Sequence, residues 1–347
     1  MAAALTAAAL LVLCGSAVSA LLYFPLLAWD LDLSPRQAAL RARLWLAGLL
    51  LPPLLALAAM AYALTRQYLH PLYSPHAEYV RPHLCLRPLL TRPDAGWGAG
   101  LFSVLCLLLI LAALVALVVR LWRGARDSAR LRREGTPVAA SDGGAARATS
   151  AGRREAGPGV VVVESDVVAV AEHRGPGRLV AVSPRLGQLF PGDLGRAILA
   201  HELCHARRRD SLYQALAQSA LAFQALSPGA YLEYAGWRKQ RELRCDLEAA
   251  EATSPEAVAS ALARAEELAG ALGEVSPLSA PGTGSVRELA ERRERLREAE
   301  GAPASGSRLG PVVAVLALLV LVALGVLFRR ELADSLQCLA ESFLQVL

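Results

Sequence analysis

The sequence predicts a mainly α, multi-span membrane protein, with four transmembrane helices and an α+β domain inserted between spans three and four. Three observations predict it. The 347 residues are 54% hydrophobic with a mean hydropathy of +0.38, more apolar than an ordinary soluble chain. Four apolar runs each approach the ~20 residues that a hydrocarbon core requires. Between the third and fourth runs lies a long stretch whose pattern changes from strand-like to helix-like.

The first span covers about residues 3–28, which carry no charge. Ala17-Val18-Ser19-Ala20 has the look of a signal-peptide cleavage site. There is no basic segment before it, however, and the apolar run continues to Trp29, so a retained span is expected. The second span is about 44–64, with Pro52-Pro53 as a site for a kink. The third is about 98–119 and the fourth about 311–328. Residues 1–120 thus form a three-helix membrane unit, and residues 329–347 a short tail.

Arginine sets the orientation. Arg120, Arg123, Arg126, Arg130, Arg132 and Arg133 follow the third span directly, against only Asp127 and Glu134, and such a cluster favours the cytoplasm. The stretch between spans three and four is then cytoplasmic, and the tail and the loop from Arg66 to Trp97 are outside. The outer loop carries four arginines of its own, which oppose this assignment without outweighing it. Cys85 and Cys338 share the outer side, so a disulfide is one reading and chance co-location the other. His70, His76 and His83 are irregularly spaced and read as solvated loop residues. The net charge of +5, with Lys239 the only lysine, is spread along loops beside the membrane and calls for no nucleic acid. The six cysteines lack CxxC spacing, which excludes a zinc ribbon or a disulfide framework.

Residues 121–159 read as a basic segment followed by a Gly/Ala/Ser/Arg-rich linker, and 160–305 as the inserted domain. Its first part is β-rich: Val160–Val163, Val167–Ala171 and Leu179–Ser183, with a turn at Arg174–Gly177. Asp193, behind Pro191-Gly192, is the expected N-cap of the next helix. That helix contains His201-Glu202-Leu203-Cys204-His205. Histidines four apart share a helical face and can reach one metal ion. The glutamate between them sits beside the ion as a general base, the zincin arrangement in which zinc lowers the pKa of a water to about 7.

The residues after this helix supply what the motif lacks. Ser211–Leu226 is helical and mostly apolar, with Gln214, Gln218 and serines as polar breaks; it reads equally as a domain core helix or as a helix lying against the bilayer. The helix expected at Tyr231–Thr253 carries Glu242 and Asp246, again four apart. Glu242 can complete a His-His-Glu set that leaves a fourth position open, as catalytic zinc requires. Asp246 can hold the far nitrogen of a zinc histidine. Asp210 follows three arginines and reads as pairing them or capping a helix. Ser254-Pro255 starts a further helix, and the Arg/Glu-dense segment 284–300 reads as a solvated one.

HELCHARRRD followed by RELRCD, set between hydrophobic spans, closely resembles the BlaR/MecR-type membrane metallopeptidases. More distantly it resembles the HtpX-type membrane proteases, whose downstream motif is ExxAD. The resemblance spans the membrane layout and roughly residues 160–260. It implies a zincin-like catalytic domain with Zn2+ held by His201, His205 and Glu242. It also favours Glu242 over the nearby Glu233, Glu248 and Glu251. Glu202 is then the catalytic base and Asp246 the partner of a ligand histidine. The resemblance further implies a sheet edge that accepts a substrate backbone, and a bacterial cell membrane with the catalytic domain in the cytoplasm. Its expected partners are the lipid bilayer and a protein substrate, a winged-helix transcriptional repressor in the first instance; a homo-oligomer is compatible with it. One departure stands out: the antibiotic-sensing members carry a penicillin-binding domain after the last span, and this chain ends soon after. The expected function is a membrane zinc endopeptidase in regulatory proteolysis. The alternatives are HtpX-like quality control, or a signalling protein whose zinc is structural.

Overall fold

The computed structural model describes residues 2–69, 96–134, 136–137, 159–162, 171–173, 179–183, 185–272, 286–302 and 312. The expected fourth span, the tail, most of the outer loop with Cys85 and its three histidines, and the Arg174–Gly177 turn lie outside the described residues.

Three long helices come first: α1 (Ala2–Asp32), α2 (Ala38–Leu69) and α3 (Gly96–Glu134). Three stretches are long and apolar enough to cross a membrane: Leu11–Leu31 in α1, Pro35–Ala58, which runs from the turn before α2 into it, and Val104–Arg130 in α3. The helix α3 does not stop where its apolar run stops. It carries the arginine cluster as a direct extension to Glu134, so the basic segment expected after the third span is helical. The turn between α1 and α2 is tight. Ser34 caps a short 3-10 helix, Pro35–Gln37, in a reciprocal capping box with Gln37, and Arg41 grips Asp30 through two bonds of 2.7 Å.

A small sheet follows, made of β1 (Thr136–Pro137), β2 (Gly159–Val162), β3 (Ala171–His173) and β4 (Leu179–Val182). Its order is β1-β2-β4-β3, with β2 parallel to β4 and the outer pairs antiparallel. After the single turn α4 (Leu186–Leu189) comes α5 (Asp193–Arg208). Its N-cap is Gly192 at φ +64°, which places Asp193 inside the first turn rather than at the cap as expected from the sequence. That positive φ costs glycine little and any other residue more.

The remaining helices are α6 (Asp210–Ala220), a 3-10 turn (Leu221–Gln224), α7 (Pro228–Ala252), α8 (Pro255–Leu272) and α9 (Val286–Gly301). The Ser254 hydroxyl accepts the Ala257 N–H at 3.1 Å, which is why α8 starts there.

Two apolar clusters fix α5, one along its C-terminal half and one along its N-terminal half. Leu203 and Ala206 pack on Val180 and Val182 of the sheet. Ala197 and Ala200 pack into a cluster with Ala249, Val258, Ala261, Leu289 and Leu296 from α7, α8 and α9. The small alanines let α5 approach closely, as ridge-into-groove packing requires. A third cluster joins the long apolar helices to the rest: Ala42, Trp45 and Leu49 of α2 pack with Ala217 and Trp237. The helix α7 therefore leans on the apolar part of α2 at one end and reaches the α5 histidines at the other.

Candidate metal centre

The site begins with helix geometry. His201 and His205 lie one turn apart on α5, and their Nε2 atoms are 3.1 Å from one another. Glu242 of α7 brings Oε2 to 3.4 Å from His201 Nε2 and 3.5 Å from His205 Nε2. Three donor atoms thus form a nearly equilateral triangle, and all three side chains are at least nine-tenths buried or close to it. Tetrahedral zinc with bonds near 2.05 Å separates its ligand atoms by roughly 3.3 Å, so the donor set fits that ion in spacing and chemistry. Glu202 follows His201 on α5 and is half-buried.

Each histidine is oriented from behind. His201 Nδ1 lies 2.9 Å from Asp246 Oδ1, one helical turn beyond Glu242 on α7. His205 Nδ1 lies 2.7 Å from Asp210 Oδ2. In this arrangement the Nδ1–H donates to a carboxylate and leaves Nε2 as the lone-pair donor. Asp210 therefore does more than pair arginines or cap a helix, the role expected from the sequence. The cause is local. Arg209 sits at φ 57°, ψ 42°, the left-handed region, between the end of α5 and the start of α6. That residue reverses the chain sharply enough to turn Asp210 back onto His205. A non-glycine residue held there costs on the order of 1–3 kcal/mol.

Two arginines complete the charge pattern, and sequence reasoning assigned a role to neither. Arg241, stacked over Trp237 with 5.0 Å to the ring centroid, donates to Glu242 Oε1 at 2.9 Å and to Gln214 at 3.0 Å. Arg292 of α9 clasps Asp246 through bonds of 2.6 and 3.0 Å, and its Nη1 lies 3.5 Å from Glu242 Oε2. The helix α9 is thus not simply solvated: Leu289, Arg292, Leu296 and Ala299 are its buried face. The signal was present in the spacing of two leucines and an alanine around one arginine, but the density of charge around it hid the stripe. At its C-terminal end, α9 is held by Arg36 of the α1–α2 turn, whose Nε donates to the Ala299 carbonyl at 2.8 Å.

The electrostatics follow from these contacts. Burial alone would lower His205, but Glu242 and the Asp210 hydrogen bond outweigh it and push its pKa up to about 10. Burial likewise opposes charging of His201, whose pKa Asp246 raises against the repulsion of Arg292. Burial would raise Glu242, yet His205, His201 and Arg241 hold it well below the usual carboxylate range. A proton and a metal ion compete for the same Nε2 lone pair. Because the folded protein holds the His205 proton up to about pH 10, metal uptake at neutral pH must release it. The affinity for zinc should therefore rise with pH, by about tenfold per unit for each proton displaced. Chelator competition between pH 6 and 8 reads this directly; an affinity independent of pH would contradict it.

Cys245 Sγ lies 3.5 Å from His205 Nδ1, on the Asp210 side of the ring, and Cys204 is in side-chain contact with Cys245. Both cysteines are fully buried. They stand behind the imidazole, not among the three donor atoms that face one another.

The Asp210 contact makes a specific prediction. Asp210→Asn keeps the shape but removes the charge that fixes the His205 tautomer. Zinc affinity should fall by about 10–100-fold, measured by competition with a chromogenic chelator. An unchanged affinity would return Asp210 to a purely structural role.

The family model of Peptidase family M48 matches residues 138–277, roughly two-fifths of the chain. The match takes in the sheet from β2 onward, the helices α5 and α7 that carry the three converging donors, and α8, and it points to a metallopeptidase. The helix α9 with Arg292 lies beyond it. No curated protein and no solved structure matches the chain.

Proposed function

We propose that this protein is an integral-membrane zinc-dependent endopeptidase. The observation that carries the proposal is the triangle of His201, His205 and Glu242 donor atoms, each imidazole held from behind by its own buried carboxylate. A triangle of three protein donors leaves room for a fourth ligand, the pattern of catalytic rather than structural zinc. The match to Peptidase family M48 supports the same reading.

A zinc ion held by this triangle supplies Lewis acidity, lowering the pKa of a water and polarising a peptide carbonyl. The protein's own groups do the rest. Glu202 accepts the proton of the attacking water and passes it to the leaving amine. Asp210 and Asp246 keep both imidazoles in the ligating tautomer. Arg241 and Arg292 offset the three buried carboxylates, so that the cluster does not repel itself into protonation.

The physiological role we propose is regulatory proteolysis on the cytoplasmic side of a bacterial membrane, with a winged-helix repressor as substrate. The resemblance of HELCHARRRD and RELRCD to the BlaR/MecR type supports this role, as does the arginine cluster that ends α3. The test uses the full chain in lipid nanodiscs, with casein and a winged-helix repressor as substrates. Cleavage that is abolished by chelator and restored by zinc is expected. Cleavage of the repressor at one bond supports the regulatory role; indiscriminate cleavage of unfolded casein alone supports quality control. No cleavage of either by metal-loaded protein would leave only a structural zinc.

A further inference from the structure

We propose that residues 211–237 form a re-entrant hairpin inside the bilayer, with its tip wedged between the three spans and Leu226, Tyr231 and Leu232 facing lipid acyl chains. The inference rests on the three long helices being membrane spans. It adds a fourth membrane-embedded unit, and this unit belongs to the catalytic part of the chain.

The sequence permits it. The 22 residues from Ser211 to Leu232 carry no charge, between Asp210 and Glu233. The contacts place the segment well within the spans. An added Cβ on Gly15 of α1 would meet the Phe223 carbonyl oxygen at 2.3 Å, so only glycine admits the hairpin there. Phe223 packs against the cluster that Ala8 and Val12 of α1 form with Cys106 and Ile110 of α3. On α2, Gly48 abuts the buried Glu233 side chain, and Trp45 fills the space that a Cβ on Gly236 would need.

The polar groups of the hairpin are spent on the spans. Ser19 and Ser227 hydroxyls meet at 3.1 Å, and the Leu226 N–H donates to Ser16 at 3.3 Å. Ser219 donates to the Ala113 carbonyl in α3 at 3.5 Å. Gln224 Nε2 donates to the Leu49 carbonyl at 2.7 Å. That carbonyl would ordinarily accept from residue 53, which is Pro53 and has no N–H. The hairpin thus repairs a hydrogen bond that the proline pair removes from α2. Small residues at the contact, with serine and glutamine bonding across it, are how helices associate in lipid. A soluble domain resting on a membrane surface needs none of this.

The outer face continues the lipid-facing surface. Leu226, Tyr231 and Leu232 are each more than half exposed, as are Leu21 and Phe24 of α1 and Leu54 of α2. From Pro228 to Glu242 the helix α7 rises about 21 Å. Glu242 therefore stands about four helical turns along a helix that begins among the spans.

The test is footprinting of the wild-type full chain in phosphatidylcholine/phosphatidylglycerol nanodiscs. An acyl-chain-soluble diazirine probe labels lipid-facing residues, and hydroxyl radicals label water-facing ones. Leu226, Tyr231 and Leu232 should carry carbene adducts at the level of Leu21 and Phe24, while Arg287, Glu294 and Arg297 of α9 carry none. Labelled spans with an oxidised, adduct-free hairpin would overturn the inference and leave the spans intact. Labelled spans with a hairpin protected from both reagents would also overturn it, because protein rather than lipid would then cover that face. Unlabelled spans would remove the membrane reading and the hairpin with it.

Discussion

Replacing Glu202 by glutamine should leave one zinc ion per chain and reduce peptide hydrolysis by about 10²–10⁴-fold, the usual contribution of a positioned general base. Glu202 lies next to His201 on α5 but is not among the three converging donors. The amide keeps the size and hydrogen-bonding reach of the carboxylate and loses only its ability to take a proton. Metal content and thermal unfolding should therefore match the wild type while turnover falls. Full activity in the glutamine variant would assign the base to another group. Loss of metal together with activity would make Glu202 a ligand.

Glu242→Gln should have the second large effect, on binding rather than on turnover alone. The Glu242 carboxylate does two things at once. It closes the donor triangle with Oε2, and with Oε1 it accepts from Arg241 at 2.9 Å. Neutralising it takes away a metal ligand and leaves Arg241 and Arg292 facing the two imidazoles with less negative charge between them. The fall in zinc affinity should exceed the roughly 10–100-fold that loss of an outer-sphere partner costs. In the metal-free protein the same change leaves buried cations undercompensated, at a cost of about 3–5 kcal/mol by analogy with broken buried pairs. Zinc titration and thermal unfolding separate the two effects. Wild-type affinity in this variant would mean that another carboxylate completes the set.

The convergence of His201, His205 and Glu242 was largely legible in the sequence because helical spacing is a rigid ruler. His201 and His205, and again Glu242 and Asp246, are one turn apart, so each pair had to share a face. What spacing could not give was the partner of the second histidine. Asp210 reaches His205 only because Arg209 adopts a left-handed conformation, and nothing about an arginine announces that. Arg292 was hidden differently: its stripe with Leu289 and Leu296 lies in a run so rich in Arg and Glu that solvation was the simpler reading.

The fold shows the same division. Three apolar runs were clear by length, although α3 continues beyond its run because arginines are good helix formers. For Ser211–Leu226, a domain core helix and a helix lying against the bilayer have the same periodicity. The contacts of Phe223, Ser219 and Gln224 with α1, α2 and α3 are what periodicity could not give.

The most direct test of the metal centre is elemental analysis of the full-length, detergent-solubilised protein beside its His201→Ala/His205→Ala variant, with folding of both checked by circular dichroism. One zinc per chain in the wild type and none in the folded variant is the expected result. Equal zinc in the two proteins, or none in either after growth and purification with zinc present, would contradict it.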